Sequence, residues 1–239
     1  MKEYQREFIQ LLIKHNALMF GSFTLKSGRI SPYFINAGNF NTGASLLHVA
    51  RHYANAIADS GIEFDVLFGP AYKGIPLAST VSCSLASSAE VKAGSVPSDR
   101  QSNGVQANTE FPFAYDRKEP KDHGEGGTLV GASLAGKRVL IIDDVITAGT
   151  AITSSINLIK EAGGIPVGVV VAIDRQEIGP PTSPNPNASA VQYIQSKFNI
   201  SVISVVQLDL IIEYLNSLPN NSELSKHTGS VVDYRSTFG

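Results

Sequence analysis

Residues 137–144 (KRVLIIDD) and 165–174 (IPVGVVVAID) are near-continuous apolar runs, and residues 150–162 between them carry a helical pattern closed by Gly163 and Gly164. A strand that is apolar on both faces belongs inside a sheet covered on both sides. Strand, helix and strand in that order form a parallel pair with a crossover. That unit restricts the chain to α/β folds with helices on both faces of a mostly parallel, doubly wound sheet. Its neighbours extend the pattern. Residues 43–60 present Leu46, Leu47, Ala50, Tyr53, Ala54 and Ile57 at helical spacing before Gly61, and FDVLFG (64–69) reads as a buried strand. A helix over 74–86, a strand over 200–207 and a helix over 208–217 complete the unit.

The flanks differ from this centre. Phe8, Leu11 and Leu12 predict an amphipathic helix over 3–15, and alternation from Phe20 to Asn36 about Ser27-Gly28-Arg29 predicts two short strands, so residues 1–42 read as a small hood. Residues 87–136 are too long for an idle connection. They read as a solvated insertion (VKAGSVPSDRQSNGVQANTE) followed by a polar, glycine-hinged flexible loop (FAYDRKEPKDHGEGGTLVG). GPPTSPNPNAS (179–189) reads as a proline-rich surface excursion, and residues 219–239 as a polar tail that frays. We read the whole chain, 1–239, as a single domain.

With 19 basic and 21 acidic residues, a formal charge of −2 supplies no summed field for a nucleic-acid backbone or an anionic membrane. Partners are therefore expected to be small molecules. The charged start MKEYQREF lacks the apolar core of a signal peptide, and stretches such as VGVVVAI are too short to span a bilayer. The single cysteine, Cys83, in LASTVSCSLA, has no intrachain partner and is expected to pack within a helix. These features fit a soluble cytoplasmic protein.

VLIIDDVITAGTA is the segment richest in chemistry. A strand ends in Asp143 and Asp144, a small-residue loop follows, and a helix begins. Loop N–H groups and the positive end of the helix form a cradle for a phosphate monoester. Adjacent carboxylates at the carboxyl end of a strand suit the cis-diol of a ribose. A P-loop would need Gly-Lys-Ser/Thr, which does not follow.

IIDDVITAGTA resembles the phosphoribosyl pyrophosphate (PRPP) signature of type I phosphoribosyltransferases. The resemblance implies that Asp143 and Asp144 hold the ribose hydroxyls, while Val145, Ile146, Thr147, Ala148, Gly149, Thr150 and Ala151 grip the 5-phosphate. Three further segments narrow the family. RKEPKDHGEGG places Arg117, Lys118, Lys121 and His123 on one stretch, and cations that reach a leaving pyrophosphate on closure favour the transition state over the ground state. It resembles the catalytic loop of orotate phosphoribosyltransferases, in which these four residues contact the pyrophosphate across a homodimer interface. Pro120 stands where that family more often has alanine. FTLKSGRISPYFINAG implies Lys26 on PRPP and Phe34 with Ile35 lining the orotate pocket, Ile35 departing from the family's usual phenylalanine. GPAYKGIPLA implies Tyr72 and Lys73 on pyrophosphate. In AIDRQE the Arg175 guanidinium can pair with carboxylate or carbonyl oxygens, and resemblance assigns Arg175 and Thr147 to orotate.

The expected reaction displaces pyrophosphate from C1 of the ribose by N1 of orotate. The sequence offers no His/Cys cluster at zinc spacing, and Mg2+, a hard ion that prefers phosphate oxygens and retained water, is expected to be held mainly through PRPP. A purine phosphoribosyltransferase would share the PRPP loop but leaves RKEPKDHGEGG unexplained. A non-catalytic PRPP-sensing regulator would need a nucleic-acid surface that the charge and motifs do not offer.

Overall fold

A computed structural model describes residues 1–25, 28–94, 110–121, 127–146, 149–179, 185 and 187–239, with backbone only at 90–94 and 120–121. In chain order, α1 (Glu3–Lys14), β1 (Leu18–Thr24), β2 (Ile30–Ile35) and α2 (Gly43–Ser60) precede β3 (Val66–Gly69) and α3 (Gly74–Gly94). β4 (Phe113–Lys121) and β5 (Gly127–Gly131) lead into β6 (Arg138–Val145), α4 (Thr150–Glu161) and β7 (Ile165–Asp174). α5 (Ala190–Phe198), β8 (Ser201–Gln207), α6 (Leu208–Asn216) and α7 (Thr228–Phe238) close the chain.

The main sheet runs β5-β4-β3-β6-β7-β8, parallel throughout except for the antiparallel β4–β5 pair. Its centre follows from the apolar runs. Leu140, Ile142, Val170 and Ala172 face one cluster with α1, α2, α3, α6 and α7, whereas Val139, Ile141, Val169 and Val171 face a second with α4 and α5. Period-two alternation thus buries both faces of β6 and β7. Ile141 and Ile142 are both fully buried, and truncating either to alanine would cost about 2–5 kcal/mol. Helix α2 has the predicted bounds because Thr42 accepts the Ser45 N–H at 3.2 Å and Gly61 closes it at a φ of 65°. A separate antiparallel β1–β2 ribbon forms the hood.

Four expectations are corrected. Residues 87–94 continue α3, and β4 and β5 form a hairpin on the sheet edge where a long loop was expected. Ala114, Tyr115 and Asp116 pair with Gly131, Val130 and Leu129; β4 pairs with β3 only through Phe113–Tyr115, so its polar remainder runs on with a single partner strand, the composition that concealed it. The tail is a docked helix, with Val231 fully buried and Tyr234 nearly so. Residues 190–198, given no element by the sequence reading, form α5, opened by a Ser189 and Gln192 capping box. Cys83 lies exposed on α3 and not in its packed face. Among the described residues no helix is long and apolar enough to cross a membrane.

Candidate active site

Because β4, β3, β6 and β7 are parallel neighbours, their carboxyl ends meet along one sheet edge, where open α/β sheets bind ligands. The β3–α3 turn contributes Tyr72, which is 72% exposed, and Lys73. Gly74 makes this turn possible: a Cβ there would stand 2.8 Å from the Ile142 carbonyl oxygen and 2.6 Å from Pro70 Cδ. The turn therefore presses against β6, and Lys73 Nζ reaches Asp144 Oδ2 at 2.8 Å. On its other side, the Ala71 N–H donates to Asp116 Oδ1 of β4 at 2.5 Å, and the Ala71–Tyr72 peptide is cis.

Asp143 and Asp144 are both buried at the end of β6. The Asp144 N–H donates to Asp143 Oδ1 at 2.9 Å, the Val145 N–H donates to Asp144 Oδ1 at 2.9 Å, and the buried Tyr53 hydroxyl donates to the Asp143 carbonyl at 2.8 Å. Burial, reinforced by the charge of Asp144, pushes the Asp143 carboxyl up to about 7. Burial and the two carboxylates hold the Tyr53 phenol well above its ordinary value, so it remains a donor. Beyond them Gly149 takes a φ of 74° and caps α4 without any side-chain bond. The first-turn N–H groups at Thr150 and Ala151 are left for an anion. Val145 is half-buried against the core and Ile146 is buried within it, so only the backbone of Ile146 can serve a ligand.

At the end of β7, Arg175 meets the hood. Its Nε and Nη2 donate to Glu177 Oε1 at 3.0 and 2.6 Å, its Nε lies 3.4 Å from the Tyr33 hydroxyl, and its guanidinium carbon stands 5.2 Å from the Tyr33 ring centre. Burial opposes the Arg175 charge, but the Tyr33 and Glu177 oxygens offset it and hold the pKa above its ordinary value. Phe34 is 38% exposed and stacks on Phe23 at 5.5 Å, an apolar face beside β2. Ile35 packs its side chain against the core.

Arg117 is half-buried and Lys118 exposed on β4. Asp116 pairs with Leu129 and Lys121 with Gly127, so the stretch carrying Arg117 and Lys118 bulges out of register, a device that re-aims side chains. The Lys121 side chain and all of Lys26, His123, Thr147 and Ala148 lie outside the described residues. Among the described residues no group of three His, Cys, Asp or Glu side chains could hold a metal ion. Sequence reasoning missed Tyr33, Tyr53, Asp116 and Glu177 as parts of the site. Glu177 sits in the AIDRQE stretch already marked by Arg175, which was the available signal.

The family described as phosphoribosyl transferase domain matches residues 36–203. The orotate phosphoribosyltransferase of Marinobacter nauticus is 49% identical over 239 residues, covering 100% of both chains. That of Pseudomonas aeruginosa is 48% identical with the same coverage. Among solved structures, orotate phosphoribosyltransferase from Francisella tularensis is 41% identical with a TM-score of 0.78, covering 98% of this chain and 99% of that one. Leishmania donovani UMP synthase is 25% identical with a TM-score of 0.69, covering 98% of this chain and 42% of that one.

Proposed function

We propose a residue-level mechanism on the premise that this chain belongs to the phosphoribosyltransferase family and is an orotate phosphoribosyltransferase, converting orotate and PRPP to orotidine 5′-monophosphate and pyrophosphate for pyrimidine biosynthesis. The observation that carries the site assignment is the order of chemistry along the carboxyl ends of the strands: a lysine on the β3–α3 turn, paired carboxylates on β6, an uncapped helix start at α4, and a guanidinium just past β7. PRPP and orotate present pyrophosphate, ribose diol, 5-phosphate and carboxylate, which match that order group by group.

In this reading Asp143 and Asp144 accept from the ribose 2- and 3-hydroxyls, and the N–H groups from Val145 to Ala151 seat the 5-phosphate with the side chains of Thr147 and Thr150. Tyr72, Lys73 and Lys26 take pyrophosphate oxygens. Lys73 Nζ stands 2.8 Å from Asp144 Oδ2, and in this reading it exchanges that carboxylate for a phosphate oxygen as PRPP enters. Arg175 and Thr147 hold the orotate carboxylate and ring oxygens against Phe34 and Ile35. The C1–O bond to pyrophosphate then breaks as the C1–N1 bond forms, the C1–O electron pair goes to the pyrophosphate, and the orotate N1 proton passes to an oxygen of that departing group. Positive charge on the ribose is favoured by the paired carboxylates, and negative charge on the leaving group by Arg117, Lys118, Lys121 and His123.

Asp143 and Asp144 are oxygen donors of the kind a hard cation accepts, too few to hold it alone. Mg2+ is accordingly read as bound mainly through PRPP, adding charge that steadies the departing diphosphate. We further read the β4–β5 cations as serving the site of a second copy in a homodimer, and the free thiol of Cys83 as suited to a reducing cytoplasm. Purified protein with Mg2+, PRPP and orotate should consume orotate with equimolar nucleotide and pyrophosphate, and should leave adenine and hypoxanthine unchanged. No loss of orotate would sink this reading.

A further inference from the structure

Arg175 is held with more determination than a surface arginine needs. A single oxygen, Glu177 Oε1, receives Nε at 3.0 Å, Nη2 at 2.6 Å and the Tyr33 hydroxyl at 3.0 Å. Arg175 and Glu177 side chains are only 16% and 19% exposed, so the pair is shielded from the screening that weakens exposed ion pairs. Nη1 is left without a partner among the described residues.

The backbone that carries Glu177 is fixed from three directions. Gln176 adopts a left-handed φ of 50° and exchanges two bonds with Asp209, at 2.8 and 2.9 Å. The Ala190 N–H at the start of α5 donates to the Glu177 carbonyl at 3.3 Å. The Ile178 N–H donates to the Phe238 carbonyl at the end of α7 at 2.8 Å. From the same helix the Tyr234 ring packs edge-on against Tyr33 at 5.8 Å. A non-glycine residue at positive φ inside so many constraints marks a place where geometry matters more than local ease.

We infer that Glu177 and Tyr33 are positioning residues for orotate: they lock the Arg175 guanidinium plane so that its free edge meets the orotate carboxylate, and α7 buttresses the lock from behind. This rests on the reading of Arg175 as the orotate contact. Glu177 also neutralises Arg175, so the gain comes from a preset fork and not from added charge.

The test is steady-state kinetics on the full-length protein, varying orotate and PRPP separately. Glu177→Ala should raise KM for orotate about tenfold or more, as expected for freeing a charged hydrogen-bonding fork, and leave KM for PRPP within about twofold. Glu177→Gln keeps an acceptor for Nη2 and should recover most of the loss. Tyr33→Phe, a fold-preserving change, should raise KM for orotate about threefold, and Tyr234→Leu should shift it in the same direction. If both KM values rise together in all four variants, or if orotate KM stays within about twofold throughout, the inference is overturned. Wild-type protein inactive on orotate would instead overturn the functional reading beneath it.

Discussion

Replacing Asp143 by asparagine should stabilise the unliganded protein while disabling its site, and the size of the gain should depend on pH. Asp143 is buried beside a second carboxylate, and those two causes raise its pKa from 3.8 to about 7. The folded protein therefore holds this proton more tightly than the unfolded chain does. Stability on this account is complete below about pH 4 and declines as pH climbs through about 7. A rise of this size corresponds to about 4 kcal/mol of penalty on the ionised form. Asparagine removes the charge and keeps an oxygen for the Asp144 N–H, which Asp143 accepts at 2.9 Å. Its new NH2 must find the Asp144 carboxylate, an adjustment that reduces the gain to about 2 kcal/mol. In a chain of this length that is a Tm increase of about 4–8 °C. Scanning calorimetry at fixed protein concentration, without PRPP or Mg2+, should show this difference at pH 8 and a variant slightly less stable than wild type at pH 4.5, where most of the charge penalty is gone but the asparagine adjustment remains. A variant no more stable than wild type at pH 8, or equally stabilised at both pH values, would refute the account of two crowded carboxylates.

His52 makes an opposite contribution: burial, aided by His48, lowers it to about 4, so the stability it lends above pH 6.5 is lost as pH falls toward 4, and His52→Phe should flatten that part of a Tm-against-pH curve. Gly149→Ala must place a side chain at a φ of 74° with its Cβ 2.8 Å from Ile194 Cδ1; it should cost about 1–2 kcal/mol of stability and raise KM for PRPP, checked by denaturation and kinetics. Lys121→Ala should lower turnover about a hundredfold, the scale of one lost transition-state donor, and turnover at the wild-type rate would remove Lys121 from the mechanism. Mixing equal amounts of Lys121→Ala and Asp143→Asn proteins should restore about a quarter of wild-type activity if sites are shared across a twofold dimer, since half the dimers then carry one intact site; no recovery would mean that each chain supplies its own lysine.

The parts of this chain that could be read from its sequence are those in which one physical demand dominates. β6 and β7 lie between two helical layers, so the residues along their centres are selected for apolarity and the run announces itself. α2 declares both ends through Thr42 and Gly61. The β4–β5 hairpin pairs as strands, but the charged run from Asp116 to Lys121 breaks the apolar alternation by which a strand is recognised. α5 carried its signal in the Ser189 and Gln192 box, overshadowed by the prolines just before it. α7 had little to show, since Val231, Tyr234 and Phe238 become a face only when β2 and α6 are there to receive them.

The site divides along the same line. Asp143, Asp144 and the α4 start are contiguous in sequence because one strand-to-helix junction brings carboxylates and a helix N-terminus together by itself, the geometry proposed above for a sugar phosphate. Recognition of a planar carboxylate needs a guanidinium held from several sides, and no short segment can surround its own side chain. Tyr33 and Glu177 are 144 residues apart and meet at 3.0 Å only after the hood closes over the end of β7. Motifs therefore announce the half of the chemistry that backbone geometry supplies. On the proposed reading the half that chooses the base depends on distant side chains, and it is there that substitutions outside any motif should alter specificity while leaving PRPP binding intact.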